Sequence, residues 1–324
     1  MEIGAFIIPT GIGASIGGYA GDASKWARKF SEKYKLIVNP NVVNAACFSG
    51  INDNMLYVEG YTLDEFFKGK CKLQEASGNK IGVVFDKSIP QKVLNIHINT
   101  INAVKTVYDI DILAYEITEE NVGVSFFIDK SGISTGNVKN LDTLKKATRK
   151  LINKGCNAIA IVCLFPDEQG SDYSLGIGVD PVGGVEAIIS HYISKEFKIP
   201  CAHAPAFADN TITTDIVNPK CAAEYITPTF LPCILQGLNN APLISPNIGI
   251  GIDDVKFLIV PYNALGGIPI LEMKKRGKKV FAVTENSTIL DVTEEKFPNK
   301  CVIINTYREL MELLWKKIQR LVFL

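Results

Sequence analysis

Three times along this chain an apolar run feeds a glycine-bearing loop, then a helical-period segment, then a second apolar run that ends in polar residues. The first unit runs Ala5-Phe6-Ile7-Ile8-Pro9, a loop from Thr10 to Gly18, a helix from Ser24 to Tyr34, and Leu36-Ile37-Val38-Asn39-Pro40. The second runs Ala158 to Phe165, Gly183-Gly184, a helix over Val185 to Phe197, and Ile199-Pro200-Cys201-Ala202-His203. The third runs Phe257 to Pro261, a loop from Asn263 to Gly267, a helix from Ile268 to Arg276, and Val280 to Val283 before Thr284-Glu285-Asn286. Continuous apolar runs separated by helices predict parallel strands buried on both faces. Open sheets of this kind hold ligands outside the carboxyl ends of their strands. The pattern therefore predicts an α/β fold of mostly parallel, doubly wound, Rossmann-like layers with a small-molecule site where the loops converge.

Between the first two units the pattern continues. Met55 to Val58 reads as a short strand, Leu63 to Phe67 as a short helix opened by Thr62, and Lys80 to Phe85 as a strand. Pro90 to Tyr108 reads as a helix with Pro at its start, and Asn140 to Lys154 as another, closed by Gly155. Ile112 to Ile117 and Val122 to Ile128, separated by Glu119-Glu120-Asn121, predict a β-hairpin. Asp167 to Pro181, with three glycines among polar residues, is a candidate lid. Pro228 and Pro232 argue against one straight helix across Cys221 to Leu238. The last helix, Arg308 to Leu324, ends in Leu321-Val322-Phe323-Leu324, which suits docking on the core or on a partner subunit, so a homo-oligomer is compatible. No clean boundary divides the chain. It reads as one α/β unit over 1–324, within which lobes of 1–118 with 256–324, and of 119–255, are the natural division.

With 324 residues the chain is long enough for a substantial core. Its 34 Lys and Arg balance 34 Asp and Glu, so no global field favours nucleic acid or an anionic membrane surface. The basic cluster Lys274-Lys275-Arg276 is accounted for by a helix end. No apolar stretch reaches the roughly 18 residues of a membrane span, and the start, with Glu2 leading into a strand, is unlike a secretory signal. The eight cysteines form no C-x-x-C pair, which predicts reduced, mostly buried thiols in a cytoplasmic or plastid-stromal setting, and no metal site.

The candidate chemistry lies at strand ends. Thr10, Gly11, Gly13, Gly17 and Gly18 belong to a loop one residue longer than G-x-G-x-x-G and lacking a P-loop Lys, so neither nucleotide fingerprint is met and no cofactor is named. Their backbone amides remain suited to an anion, unless the glycines serve only a tight crossing. Asn41, Asn44 and Glu59 follow the next strands, where a turn or cap role competes with a ligand role. Cys163 ends the strongest strand, and Cys201 stands two residues before His203, a local base for either thiol. For cysteines in apolar runs a core role competes; His97 and His191 read as structural. Asn263, Gly266 and Gly267, with Glu285 and Asn286, offer hydrogen bonds to ligand hydroxyls or else a solvated turn.

Three groups of stretches carry a resemblance along nearly the whole chain. They are Ile8-Pro9-Thr10-Gly11-Ile12-Gly13-Ala14 with Gly17 to Ala23; Asn39-Pro40-Asn41-Val42-Val43-Asn44 with Tyr57 to Tyr61; and Ile199 to Pro205 with Gly267-Ile268-Pro269 and Glu285-Asn286. On these the sequence resembles the domain-of-unknown-function family 3326 of cyanobacteria, other bacteria and plastid-bearing eukaryotes, a resemblance that implies no activity. Leu144 to Cys163 is similar to a segment of the aspartate/glutamate racemase superfamily. That likeness implies proton transfer by Cys163 and by Cys201 or Cys233, although Cys163-Leu164-Phe165 replaces the Cys-Asn/Thr pair of that superfamily. The expectation is an enzyme acting on a small polar or anionic metabolite by Cys/His proton transfer, of isomerase, racemase or lyase type. A non-catalytic metabolite-binding or sensor protein is the alternative.

Overall fold

The computed structural model describes residues 1–76, 78–166, 172–209, 211–298 and 300–322. Two parallel sheets organise it. The six-stranded sheet runs, edge to edge, Val302–Ile304, Lys279–Val283, Val255–Pro261, Glu2–Phe6, Tyr34–Val38 and Met55–Tyr57. The four-stranded sheet runs Cys201–Phe207, Ala158–Phe165, Ile81–Phe85 and Ile112–Ile117. The chain is thus a mixed α/β protein of Rossmann-like build. Each of the three repeated units is a strand–helix–strand crossover whose two strands pair directly in parallel. Parallel neighbours need such a crossover, and the short helices Ser24–Ser31, Gly183–Phe197 and Ile268–Lys275 supply it.

Burial explains the apolar runs. All five residues of Ile81–Phe85 and seven of the eight in Ala158–Phe165 are buried. One core joins the sheets: Phe6, Leu36 and Val38 of the first and Val83, Ala160 and Ala204 of the second belong to the same cluster. Helix Leu231–Asn239, with Leu231, Ile234, Leu235 and Leu238 buried, sits in that shared core.

Several elements differ from the sequence expectation. Ile112–Ile117 does not form a hairpin with the next strand. It pairs in parallel with Ile81–Phe85, because helix Gln91–Tyr108 has already carried the chain back along the sheet. The hairpin is one strand later, between Val124–Ile128 and Ser134–Val138. Consequently Ile81–Phe85 and Ile112–Ile117, which a boundary at 118 groups with the first lobe, hydrogen-bond in the second sheet. The helix expected to open at Thr62 spans Gly60–Phe67, and Glu59 caps it. The segment Cys221 to Leu238 is two helices, Ala222–Tyr225 and Leu231–Asn239. Of the candidate lid, residues 167–171 lie outside the described residues, and Asp172–Leu175 forms a 3-10 turn. The extreme apolar terminus, residues 323–324, also lies outside them.

Candidate functional site

The carboxyl ends of both sheets open on one cleft of about 740 Å³. Thr10, Gly17 and Gly18 reach it from the loop after Glu2–Phe6, and Asn41 and Asn44 from the turn after Tyr34–Val38. His203 and Pro205 reach it from Cys201–Phe207 itself. Asp180 and Glu186 come from the approach to helix Gly183–Phe197 and from its first turn, and Glu224 from Ala222–Tyr225. Phe230 and Cys233, at the start of the central helix, form an apolar wall. A second hollow of about 640 Å³ lies at the opposite, amino end of the Glu2–Phe6 strand, lined by Met1, Glu2, Ile3 and Lys256 among others. It gathers none of the candidate chemistry.

The glycine loop takes left-handed backbone at Gly11, Gly13 and Gly17. At Gly17 a side chain would be strained twice over, by φ of 88° and by collision with Ile8. Four of the loop's amides, however, are already occupied by the protein's own groups. Gly17 N–H donates to Asp22 Oδ1 at 2.6 Å, and Ala20 N–H to Glu224 Oε1 at 2.6 Å. Ser15 N–H donates to Ser287 O, and Ile16 N–H to Asn286 Oδ1 at 3.0 Å. At Gly17 and Ala20 the acceptors are carboxyl groups from within the chain.

Carboxyl groups dominate the cleft. Glu186 is 7% exposed, and its Oε1 has no hydrogen-bond partner. Burial pushes its carboxyl well above the ordinary range, and Asp180 and Glu224 add to the effect. Glu224 is pushed up to about 8 by burial and then by Asp180, against the hydrogen bonds from Ala20 N–H and from Tyr173 O–H. Asp22, behind the loop, is pushed up to about 6, chiefly by burial. Asp180 Oδ1 accepts from the amides of Val182 and Gly183 at 3.0 and 3.2 Å. Among the described residues, no Lys or Arg lines the cleft. Lys220, outside the lining, donates to Ser15 O and stands 5.7 Å from the centre of the Tyr19 ring.

His203 faces this acidic wall uncharged. Burial, with His191 adding, pushes its imidazole down to about 3. Its Nδ1 lies 2.8 Å from Ser190 Oγ, and Ser190 Oγ donates onward to Ala187 O. When Ser190 Oγ gives its one proton to Ala187 O, His203 donates to it through Nδ1–H, which leaves Nε2 with the lone pair.

Of the other sequence candidates, most are placed away from the cleft. Cys163 and Cys201 are each 1% exposed, and burial drives both thiols well above their ordinary value. Cys233 lines the cleft but is pushed up to about 12 by burial. The racemase likeness implies two reactive thiols, whereas burial holds these three protonated. Glu59 accepts from Tyr61 N–H and Thr62 N–H, both at 2.7 Å, as a buried helix cap. Gly11 packs against Ser134, and Gly13 against Val179 and Ile289. Asn263 ties the loop at Thr288 and Leu290, its Nδ2 donating to both carbonyls. Gly266 and Gly267 contact Val292 and Ile270 instead of a ligand space. Glu285 accepts from the Tyr307 amide at the start of the last helix. Asn286 donates to Ile16 O at 2.8 Å and to Tyr307 Oη at 2.7 Å. The third unit's polar residues thus clamp the glycine loop and the terminal helix onto the sheet. Their strand-end position is as expected, but their side chains turn into the framework.

Tyr19, Tyr173, Asp180, Glu186 and Glu224 were not singled out in the sequence. One signal was available. Glu186, Ser190 and Ser194 recur every four residues on a helix whose Val185, Ile189 and Ile193 are buried, and this polar stripe is buried with them. Glu224, on a four-residue helix in an irregular stretch, left no periodic trace.

No solved structure matches the chain. A lipoprotein of Synechococcus sp., described as uncharacterized, is 40% identical over 296 residues, covering 88% of this chain and 82% of that protein. Residues 4–319 match the model of a family described as "Protein of unknown function (DUF3326)". The chain belongs to that family.

Proposed function

We propose that the protein is an enzyme that binds a small polar metabolite in the acidic cleft and moves a proton on it, with isomerase- or lyase-type chemistry. The observation that carries this is that two kinds of group line one cavity: the carboxyls of Glu186 and Glu224, raised by burial, and the imidazole of His203, held neutral. A general acid or base works best when its midpoint lies near the working pH, and Glu224, pushed up to about 8, meets that condition. His203, at about 3, does not. Its role is to accept a hydrogen bond from the ligand at Nε2 and fix its orientation. This reverses the expected division of labour: carboxyls replace thiols as proton carriers, and histidine positions the ligand. Carboxyls strongly displaced by burial and a charged neighbour in a cleft are candidates for a functional site. The eight unpaired cysteines support a reducing compartment.

Incubating the chain in D2O with pools of polar metabolites, read by mass spectrometry, tests the proposal. At least one metabolite should be converted, or should take up deuterium, with the native chain and not with Glu224→Gln. His203→Gln should raise the KM of the same reaction. Ligand-dependent stabilisation with no conversion or exchange in any pool would refute the enzyme and favour a binding or sensor protein.

A further inference from the structure

The cleft departs from the expected anion site in its charge. An anionic ligand entering it meets Asp180, Glu186 and Glu224 on the walls and Asp209 at the rim. It finds no Lys or Arg among the described lining residues, and the Gly17 and Ala20 amides are already satisfied by carboxyl groups. Burying a carboxylate beside others without a cation is strongly unfavourable, so something positive must visit this site or the protons must stay on.

Glu186 is the sharpest sign. Its oxygen Oε1 is enclosed, accepts no hydrogen bond, and belongs to a side chain on the cleft wall. Buried polar atoms in native proteins are nearly always paired, so an orphaned carboxyl oxygen beside a cavity marks a missing donor. Apolar and aromatic side chains stand among the polar ones on the remaining walls: Tyr19 and Tyr173, stacked with ring centres 4.9 Å apart, and Phe207, Pro205 and Phe230. Such walls suit the carbon body of an organic ion and the soft face of a cation. Among the described residues, no three His, Cys, Asp or Glu side chains are grouped as ligands for a metal ion. An ammonium group asks less: one or two carboxylate acceptors and an apolar surround.

We infer that the cleft's ligand is a small organic cation, an amine or alkylated ammonium, whose charged nitrogen seats against Glu186. The inference rests on the proposed function and names its substrate class. Binding then requires Glu186 to give up its proton. The groups whose titration feels Glu186 are Asp180 and Glu224 at the cleft and the phenol of Tyr57 and the thiols of Cys163 and Cys233 around it. All of these keep or gain protons as pH falls, so the affinity for a cation should fall with pH, by up to tenfold per unit for each proton released.

The test is a calorimetric and thermal-denaturation comparison on the full chain at pH 8 and pH 6. The probes are choline, butylamine, the uncharged choline isostere 3,3-dimethyl-1-butanol, sodium butyrate and magnesium chloride. Choline or butylamine should bind at one site and raise Tm, more weakly at pH 6, while the alcohol and butyrate should not. Glu186→Gln should weaken the cation at least tenfold without lowering Tm. The contrast between choline and its isostere in the native chain decides the matter even if that variant folds poorly. Equal binding of the alcohol or butyrate, binding of magnesium but not of the amines, or no binding of either amine would overturn the inference. Conversion of an uncharged or anionic metabolite that depends on Glu224, with both amines inert, would sink the ammonium class and leave the acid–base reading standing. Amine binding with no metabolite converted would do the reverse.

Discussion

Glu224 gives the acid–base reading a thermodynamic signature that needs no substrate. Its carboxyl is moved from an ordinary 4.5 to about 8, first by burial and then by Asp180. Below pH 4.5 both folded and unfolded chains hold this proton, and the stability is complete. Between 4.5 and 8 the unfolded chain has released it and the folded chain has not, so stability falls as pH rises; above 8 the loss is complete. At about 1.4 kcal/mol per pH unit, Glu224 alone withdraws on the order of 5 kcal/mol across that window. Glu224→Gln does not titrate, and its amide oxygen can still accept from Ala20 N–H and Tyr173 O–H, as Glu224 does at 2.6 and 2.9 Å. The variant should therefore gain on the native chain as pH rises, by about 3 kcal/mol between pH 5.5 and 7.5. Urea unfolding of both chains at half-unit pH steps measures this directly. Asp22, Asp180 and Glu186 are present in both, so the difference holds the Glu224 titration together with its coupling to them. Stability profiles that stay parallel across the window would mean an ordinary, ionised Glu224 and would refute the reasoning.

Three further outcomes follow from particular contacts. Gly184 opens helix Gly183–Phe197 directly against the hairpin backbone, and a Cβ there would collide with the Ser134 carbonyl; Gly184→Ala should cost about 1–3 kcal/mol or more in urea unfolding, and an unchanged midpoint would show that the contact is loose. Iodoacetamide at pH 7.5 should mark the half-buried Cys47 first and leave Cys163, Cys201 and Cys233 unlabelled in the folded chain, since all three are buried and their thiols are held protonated; early labelling of Cys201 would restore the thiol reading. Nitrogen NMR of the His203 ring should show the neutral Nδ1–H tautomer unchanged from pH 8 to pH 5. A titration midpoint near 6.5 would remove the buried, Ser190-bonded state.

The sheets were legible because their cause is local. Strands buried on both faces must be apolar throughout, and crossover helices must carry one apolar stripe, so the three repeated units could be read from residue order alone. The hairpin lies one strand later than the sequence suggests, because Glu119-Glu120-Asn121 has the composition of a turn between two paired strands. Whether strands flanking such a turn pair depends on the sheet already built by Ile81–Phe85, which no local pattern records. The site was legible in position but not in charge. Thr10, Gly17, Gly18, Asn41, Asn44 and His203 do line one cleft. Residue order could not show that Asp22 and Glu224 would consume the loop's amides, because Glu224 arrives from 204 residues away. Nor could it show that Asn263 and Asn286 turn inward. Amide side chains at strand ends serve loops and ligands equally well, and only the packing of the last helix against the loop decides which.

The most direct measurement is a crystal structure of the chain grown with choline or with a metabolite found by turnover. The account predicts density for a bound cation between Glu186 and His203, with a nitrogen within hydrogen-bond or ion-pair reach of Glu186 and apolar atoms against Phe230 and the tyrosine pair. Density for the ligand elsewhere, with the cleft occupied by water alone or by an anion held on the glycine loop, would contradict it.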